Sequence, residues 1–373
     1  MFARINPVEN MKRPHLVHFL AIVNDESITL KASITMKENH LFKILDLQLN
    51  IPTPTIPYQA LRLLNAYQFT LKIVGLDAEK NILYSRKIDS DSFGNIHFKI
   101  PLNEERKKMT VLQIYEVKSR PGLEIHLGSY IPIQILSPKK LVICDFDKTL
   151  VDTKYSTTKE VFKSLTKPLS YFPTVPKSLE ILLQFIKAGH HPFILSASPH
   201  FYEDAMRDWL YQNNIFSAGI FLKDYRQFLS PLNSELTRRD IKKQGLYKLN
   251  HLLDILIMTG IPDELILMGD NYESDPLIYL TIAHFLREET DPWTFWNEIK
   301  EKSAFLLQPK QNAQILNKLY QVDNLLKRER KKFPHKKTHI EILIRKRFEN
   351  DGITIPEEYT NQTKLHFLIH LYS

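Results

Sequence analysis

The chain has 373 residues, of which 43% are hydrophobic and 25% are charged, and its formal net charge is +8. This length exceeds one typical core, so we expect two domains and a tail with an ordinary globular composition. The single cysteine, Cys144, excludes an internal disulfide framework and a thiolate zinc cluster. The positive charge favours anionic partners, although an excess of lysine also serves solubility.

No stretch approaches the ~18 apolar residues that a membrane-spanning helix needs. The apolar run at 16–23 follows basic residues, as a signal peptide would, but it contains a histidine and no small-residue cleavage site follows it. We therefore interpret this run as a strand. The expected location is cytoplasmic, with peripheral attachment to a membrane as the alternative.

Residues 1–138 have the pattern of an all-β sandwich domain. Alternating segments rich in β-branched residues predict strands at 16–23, 27–36, 69–74 and 96–100. Turn signals separate these strands at 50–57, 91–95 and 120–122. Short strands at this spacing are typical of a sandwich. No cluster of catalytic residue types occurs among them, so we expect a structural or interaction role.

Residues 139–300, which follow a junction at 137–140, have a different pattern in which strands alternate with helices. Strands are predicted at 141–144, 192–195, 218–222 and 264–268, and helices at 178–187, 202–212, 246–258 and 276–285. Such alternation predicts an α/β, Rossmann-like domain with a parallel sheet wrapped by helices. In this architecture ligands bind beyond the carboxyl ends of the strands.

Residues 301–373 are expected to form a basic helical region. The run 327–337 carries seven positive charges against one negative charge. A solvated helix end is the usual interpretation of such a run. Membrane binding is the alternative, because an anionic surface attracts each cationic side chain by roughly 1 kcal/mol. Nucleic acid is not expected, since no recognised binding module accompanies the charge.

Two carboxylates, those of Asp145 and Asp147, directly follow the apolar run 141–144. Such a pair at the end of a buried strand suits a metal-assisted attack on phosphorus, in which one aspartate is the nucleophile and the other transfers protons. A surface acidic turn is the alternative interpretation. The Asp-x-Asp-x-Thr pattern is weak on its own, so the surrounding sequence has to support it.

Other strand ends in this region also carry polar groups. Ser196 follows the strand at 192–195, and Asp270 follows the strand at 264–268. Together with Asp145 they are expected to meet at the top of one sheet, within reach of Lys248 from the preceding helix. In phosphoryl transfer the attacking carboxylate and the phosphate repel each other, and a magnesium ion together with a lysine can neutralise both. An all-carboxylate site without a histidine or cysteine set suits Mg²⁺.

The order of these segments resembles the haloacid dehalogenase superfamily of aspartyl-phosphate phosphohydrolases. The resemblance implies that Asp145 attacks phosphorus and that Asp147 protonates the leaving oxygen and then activates water. It also implies that Ser196 and Lys248 bind the phosphoryl group. The implied magnesium ligands are Asp145, Asp147 through its backbone carbonyl, Asp270 and Asp275.

A narrower resemblance is to the catalytic domain of the actin-patch-associated phosphatidate phosphatase family. The sequence Ser-Ala-Ser-Pro at 196–199 is similar to the Ser-Asn-Ser-Pro signature of that family. The segments 221–225, 247–249 and 269–279 are similar as well. The resemblance covers about 140–290 well and the first 138 residues loosely. It implies a lipid phosphate, with phosphatidate favoured, as substrate.

Several residues depart from the family pattern. Phe146 and Lys148 occupy its variable positions, His200 replaces its tryptophan, and Asn271 and Tyr272 replace its small residues. These changes concern lipid preference rather than chemistry. Only about fifty residues separate successive site segments, so a capless or minimally capped, open site is expected, which suits a bulky or membrane-held phosphomonoester.

Three assignments have alternatives within the sequence. Ser198 competes with Ser196 as the phosphate ligand, and either serine can cap a helix instead. The alternatives to Lys248 are Lys223, Lys242 and Lys243. The alternative for Asp275 is that it merely caps the helix that follows it and does not bind the metal.

The sequence thus predicts a magnesium-dependent phosphomonoesterase that acts through an aspartyl-phosphate, with phosphatidate or a related lipid phosphate as substrate. A soluble phosphatase of small metabolites or nucleic-acid ends is the first alternative. The second alternative, from a different class, is a non-catalytic lipid-sensing module. The complete set of catalytic residue types argues against the latter.

Overall fold

The computed structural model describes most of the chain, in segments separated by gaps. The described residues are 12–38, 67–119, 122–153, 169–223, 245–272, 274–305, 311–346, 348–350 and 352–373. The predicted turns at 50–57 and 120–122 lie wholly or partly outside these residues, as do Lys242 and Lys243.

The N-terminal part forms two four-stranded sheets that pack face to face. The first has the order β5-β2-β1-β8 and the second the order β4-β3-β6-β7. Their strands are β1 (Lys12–Val23), β2 (Ser27–Glu38), β3 (Thr70–Leu76), β4 (Ile82–Asp89), β5 (Asn95–Pro101), β6 (Val111–Glu116), β7 (Ile125–Tyr130) and β8 (Ile133–Gln134). Buried residues such as Leu30, Ile73 and Leu112 fill the space between the sheets. The predicted β-sandwich is confirmed.

The α/β part is built on a six-stranded parallel sheet. Its strands are β9 (Lys140–Asp145), β10 (His191–Pro199), β11 (Gly219–Lys223), β12 (Glu264–Asp270), β13 (His339–Arg345) and β14 (Ile369–Tyr372). The helices are α1 (Pro176–Lys187), α2 (Glu203–Gln212), α3 (Gly245–Thr259), α4 (Asp275–Arg287), α5 (Pro292–Ile299), α6 (Asn312–Lys332) and α7 (Thr360–Thr363). The predicted parallel sheet is confirmed.

The order of the strands, β11-β10-β9-β12-β13-β14, places β9 in the middle of the sheet. The chain proceeds from β9 to one side through β10 and β11, and then continues on the other side of β9 through β12. A parallel sheet has its ligand crevice where the order reverses in this way, outside the carboxyl ends of the strands. The crevice therefore lies beside the last residue of β9, Asp145.

Both faces of this sheet are covered, which explains the continuous apolar run of β9. Leu141 and Ile143 belong to the core under α3 and α4. Val142 and Cys144 belong to the core under α1 and α2. Successive residues of a strand point to opposite faces, so a strand that is buried on both sides needs apolar residues at every position.

The β-sandwich packs directly against the α/β part. Leu20 and Ile22 of β1 belong to the same core as the strands of the parallel sheet. A buried ion-pair network strengthens this junction, since Asp254 of α3 lies 2.7 Å from Lys31 of β2 and 2.6 Å from Lys318 of α6. Burial alone would raise the pKa of Asp254, but the two lysines and His251 bring it well below its ordinary value.

The expectation of a purely helical region at 301–373 is wrong. Helix α6 occupies part of it, but β13 and β14 join the parallel sheet next to β12. Residues of β13 such as Ile342 and Ile344 are buried in its core. Strand β13 has the sequence His-Ile-Glu-Ile-Leu-Ile-Arg. It follows the strongly charged run at 327–337, and that run favoured a helical prediction for the whole region.

The basic run at 327–337 makes several ion pairs with acidic side chains. Arg328 and Lys332 both contact Glu26 of the β-sandwich, at 2.9 and 3.4 Å. Lys336 lies 2.6 Å from Asp263, just before β12. These charges therefore have partners within the chain. Among the described residues, no helix is both long enough and apolar enough to cross a membrane.

Candidate active site

Asp145 ends β9 in the middle of the sheet and is 2% exposed. The ammonium nitrogen of Lys248, from the first turn of α3, lies 2.8 Å from its Oδ1 atom. Thr149 donates a hydrogen bond to Oδ2 of the same carboxylate at 3.3 Å. The side chain of Lys248 is 1% exposed, so this charge pair is shielded from water.

Asp275, the first residue of α4, is also fully buried and accepts a hydrogen bond from Lys248. It approaches β12 closely because residue 269 is a glycine: a Cβ atom there would lie 2.6 Å from Oδ2 of Asp275. The same Oδ2 atom accepts the backbone N–H of Asp270 at 3.3 Å. Asp275 is therefore more than a helix cap, since it faces the lysine and the end of β12.

Three buried carboxylates come together at this point. The carboxylate oxygens of Asp145, Asp270 and Asp275 lie within 4.8 Å of one another. With Lys248 they form a buried group of three negative charges and one positive charge. Such a set of hard oxygen donors with excess negative charge suits a divalent cation, which would neutralise it. The arrangement thus supports a metal site.

Asp147 is hydrogen-bonded to two serines near the carboxyl end of β10. Its Oδ2 atom accepts hydrogen bonds from Ser196 at 2.7 Å and from Ser198 at 3.4 Å. Its Oδ1 atom accepts one from Thr153 at 3.2 Å. Ser196 is fully buried, and its hydroxyl oxygen also accepts the backbone N–H of Ser198 at 3.0 Å. The structure therefore places Ser196 beside Asp147.

The loop that carries both aspartates is a tight turn. The backbone N–H groups of Leu150 and Val151 both donate to the carbonyl of Phe146, at 2.9 and 3.2 Å. Lys148 adopts a left-handed backbone conformation with φ 62° and donates to the carbonyl of Val151 at 2.7 Å. A non-glycine residue in this conformation is strained, and such strain is common at functional sites.

The sequence did not identify Tyr247 as a site residue, although it directly precedes Lys248. Its hydroxyl group contacts the carbonyl of Ser196 and lies 3.1 Å from the carbonyl of Phe221. Tyr247 thereby connects the ends of β10 and β11 to α3. Its position directly before the candidate catalytic lysine is the feature of the sequence that could have identified it as a site residue.

His18 of β1 contacts Glu203 of α2 and His200, the residue that follows β10. Nδ1 of His18 lies 2.5 Å from Oε2 of the buried Glu203. The ring of His18 stacks on that of His200, with centroids 5.4 Å apart. Burial alone would raise the pKa of Glu203, but His18 and Arg207 hold it below its ordinary value. Pairing between distant segments of this kind is not visible in the sequence.

Cys144 has no role in this chemistry. It is fully buried beside the nucleophile candidate, and burial raises the pKa of its thiol well above the ordinary value. A protonated thiol is a poor nucleophile and a poor metal ligand. Cys144 instead belongs to the hydrophobic core on one face of the sheet.

Some sequence predictions lie outside the described residues. These are Asp224 and Tyr225 of the 221–225 segment, and Glu273 of the 269–279 segment. The prediction that the site has no cap domain, or a minimal one, depends on residues 154–168 and 224–244, which also lie outside the described residues. It stays a prediction.

Residues 140–290 match the family model described as "Phosphatidate phosphatase APP1, catalytic domain". The match includes Asp145, Asp147, Ser196, Lys248, Asp270 and Asp275. It covers less than half of the chain and ends before β13. A comparison with curated proteins gave no match.

Several glycoside hydrolases of known structure show weak similarity to the chain. A Ruminococcus gnavus β-glucuronidase has 8% identity and a TM-score of 0.26, covering 96% of this chain and 60% of its own. A Bifidobacterium dentium β-glucuronidase has 8% identity and a TM-score of 0.24, covering 92% and 45%. A Bacteroides fragilis putative β-galactosidase has 10% identity and a TM-score of 0.24, covering 94% and 51%. The chain thus spans less than two thirds of each of these proteins, and TM-scores this low carry no argument.

Proposed function

We propose that the chain is a phosphatase, a magnesium-dependent phosphomonoesterase that acts through an aspartyl-phosphate, since residues 140–290 match the model of the phosphatidate phosphatase APP1 catalytic domain. The observation that carries the proposal is the position of Asp145. It ends the central strand, pairs with Lys248, and lies in a buried cluster with Asp270 and Asp275.

In the first step, a carboxylate oxygen of Asp145 attacks the phosphorus of the substrate. The bond between phosphorus and the ester oxygen breaks, and the leaving oxygen takes a proton from Asp147. Lys248 holds Asp145 in place and offsets the charge that the phosphoryl group brings to the nucleophile. The Ser196 hydroxyl, which donates to Asp147 in the free site, would donate the same hydrogen to a phosphoryl oxygen once substrate is bound.

In the second step, water hydrolyses the aspartyl-phosphate. Asp147, now ionised, takes a proton from the water, whose oxygen attacks phosphorus. The bond between phosphorus and Asp145 breaks, which releases inorganic phosphate and restores the carboxylate. Asp147 therefore serves as acid in one step and as base in the next. The hydrogen bond that Asp147 accepts from Thr153 orients the carboxyl group for both roles.

The residues present fit Mg²⁺. Asp145, Asp270 and Asp275 would hold it through carboxylate oxygens, and Asp147 through its backbone carbonyl. When bound, the ion supplies neutralisation of the negative charge that gathers during phosphoryl transfer.

The proposed substrate is phosphatidate or a related lipid phosphate. The family match and the net charge of +8 support an anionic lipid substrate. Peripheral attachment to a membrane surface, in the cytoplasm, is the location consistent with such a substrate. A phosphatase of small metabolites or nucleic-acid ends is the competing function.

The proposal can be tested with purified protein and Mg²⁺. The protein should release phosphate from a generic aryl phosphate, and Asp145→Asn should abolish the release. Asp152→Asn is a suitable control, because this half-buried residue follows the same loop but does not belong to the carboxylate cluster. Equal inactivity of the wild type and Asp145→Asn on every phosphate tried would contradict the proposal.

A second assay compares phosphatidate in mixed micelles with soluble phosphomonoesters. A kcat/KM at least tenfold higher for phosphatidate would support the lipid substrate. A higher kcat/KM for a soluble sugar phosphate or a nucleotide would instead favour the competing function.

A further inference from the structure

Arg345 ends β13, in the part of the chain that lies beyond the family match. In the register of the sheet it pairs with Asp270 of β12 on one side and with Tyr372 of β14 on the other. The carboxyl end of β13 therefore lies at the same edge of the sheet as the carboxylate cluster. Arg345 is the residue that β13 presents at this edge.

The side chain of Arg345 contacts the loop that carries the nucleophile. Its Nη1 atom donates a hydrogen bond to the backbone carbonyl of Lys148 at 2.5 Å. Lys148 is the strained residue of this loop, with φ 62°. A strained backbone conformation persists only when surrounding contacts hold it. The guanidinium supplies such a contact, and a charged donor makes the hydrogen bond stronger than a neutral one.

The main chain of Arg345 contacts the second loop of the site. Its carbonyl accepts the backbone N–H of Asn271 at 3.0 Å. Asn271 directly follows Asp270, and its side chain donates to the carbonyl of Gly352 at 3.3 Å. One residue therefore contacts both loops, the Asp145–Asp147 loop through its side chain and the Asp270 loop through its backbone.

We propose that Arg345 is a positioning residue for the phosphatase site, which fixes the loop of Asp145 and Asp147 relative to the loop of Asp270. This inference rests on the proposed function. It assigns a part in the site to β13, a strand that the family match does not cover. Arginine suits the role because its planar fork is rigid, whereas lysine is a flexible point charge.

Loss of the guanidinium should affect turnover more than substrate binding. The loop would no longer hold Asp145 and Asp147 in the geometry that attack and proton transfer require. A misplacement of about 1 Å can cost on the order of 10²-fold in rate. We expect kcat to fall by roughly 10- to 100-fold, with KM changed less than threefold.

The test compares Arg345→Gln, Arg345→Lys and Arg345→Ala with the control Lys346→Gln. Lys346 is the next residue, and its ammonium group contacts the carbonyl of Glu349 at 3.1 Å rather than either loop. All four variants keep the backbone carbonyl at position 345. The readouts are kcat and KM on an aryl phosphate, rescue of Arg345→Ala by added guanidinium, and amide hydrogen exchange of residues 146–151.

The inference predicts reduced kcat and faster exchange at 146–151 in the Arg345 variants, with partial rescue by guanidinium and with Lys346→Gln unchanged. Unchanged kcat and unchanged local exchange in Arg345→Gln would overturn it. Equal losses in Lys346→Gln, or faster exchange throughout the chain, would overturn it too, because they indicate a general structural role. If the wild type is inactive, the proposed function fails, whereas hydrogen exchange still tests Arg345.

Discussion

The ammonium nitrogen of Lys248 lies 2.8 Å from Oδ1 of Asp145, and both side chains are almost fully buried. Lys248 also contacts Asp275, so one ammonium group is shared between the proposed nucleophile and a metal-ligand candidate. Removing one member of a buried ion pair leaves an uncompensated charge, which is costly. This pairing links the chemistry of the site to the stability of the fold.

Lys248→Met should therefore reduce both activity and stability. We expect kcat to fall by at least about 10²-fold and the free energy of unfolding to fall by about 3–5 kcal/mol. Phosphate release and urea unfolding followed by circular dichroism measure the two quantities. Lys248→Arg should retain more stability, because the charge remains. Activity of Lys248→Met within threefold of the wild type would contradict the role of this lysine.

Ser196→Ala and Ser198→Ala should differ in their effects on kcat/KM. The Ser196 hydroxyl lies 2.7 Å from the Asp147 carboxylate and that of Ser198 lies 3.4 Å from it. We expect Ser196→Ala to lose about 10²-fold, as for loss of one charge-stabilising donor, and Ser198→Ala to lose less than tenfold. Steady-state kinetics on one aryl phosphate would show this. The reverse order would identify Ser198 as the phosphate ligand.

Gly269→Ala should displace Asp275. The added Cβ atom would lie 2.6 Å from its Oδ2 atom and 2.8 Å from the ring of Tyr279, both of which are buried. We expect weaker Mg²⁺ activation, seen as a higher Mg²⁺ concentration for half-maximal activity. Gly352→Ala is a matched control, since its Cβ atom would meet nothing within 4 Å. Identical Mg²⁺ titrations for Gly269→Ala and the wild type would refute this prediction.

The stability of the fold should decrease in mildly acidic solution. Burial lowers the pKa of His97, His191 and His251 from 6.5 to about 4. Between about pH 6.5 and pH 4 the unfolded chain thus binds more protons at these positions than the folded chain does. The free energy of unfolding therefore falls as the pH falls through this window, by up to about 1.4 kcal/mol per pH unit for each histidine.

His191→Gln should make this dependence less steep. Urea unfolding at several pH values between 4.5 and 7 measures the slope for the variant and the wild type. His366→Gln, at an exposed position, is the control and should leave the slope as in the wild type. Equal slopes for His191→Gln and the wild type would show that this histidine does not contribute.

The strand ends of the α/β part could be predicted from the sequence, because the short apolar runs of the buried strands are followed within two residues by a polar residue. Asp145 and Asp270 indeed meet at one edge of the sheet. The contribution of β13 to the site could not be predicted, since its seven residues follow a charged helix and lie outside the family resemblance. Arg345 reaches the site only because β13 pairs with β12, and that pairing is a long-range contact.

The pairing within the site was also only partly predictable. Spacing alone suggested that Lys248 reaches the strand ends, but it did not show that Asp275 shares this lysine. The contact depends on Gly269, whose missing side chain lets α4 approach β12. The stacking of His18 on His200 joins residues far apart in the chain, and no local pattern encodes it.

The most direct test of the proposed chemistry is to trap the phosphorylated enzyme during turnover. Protein with Mg²⁺ and substrate is quenched and treated with borohydride, which reduces an acyl phosphate to an alcohol, and the modified residue is located by mass spectrometry. An aspartyl-phosphate at Asp145 predicts homoserine at position 145, and none in Asp145→Asn. Continued turnover with position 145 unmodified would contradict Asp145 as the nucleophile.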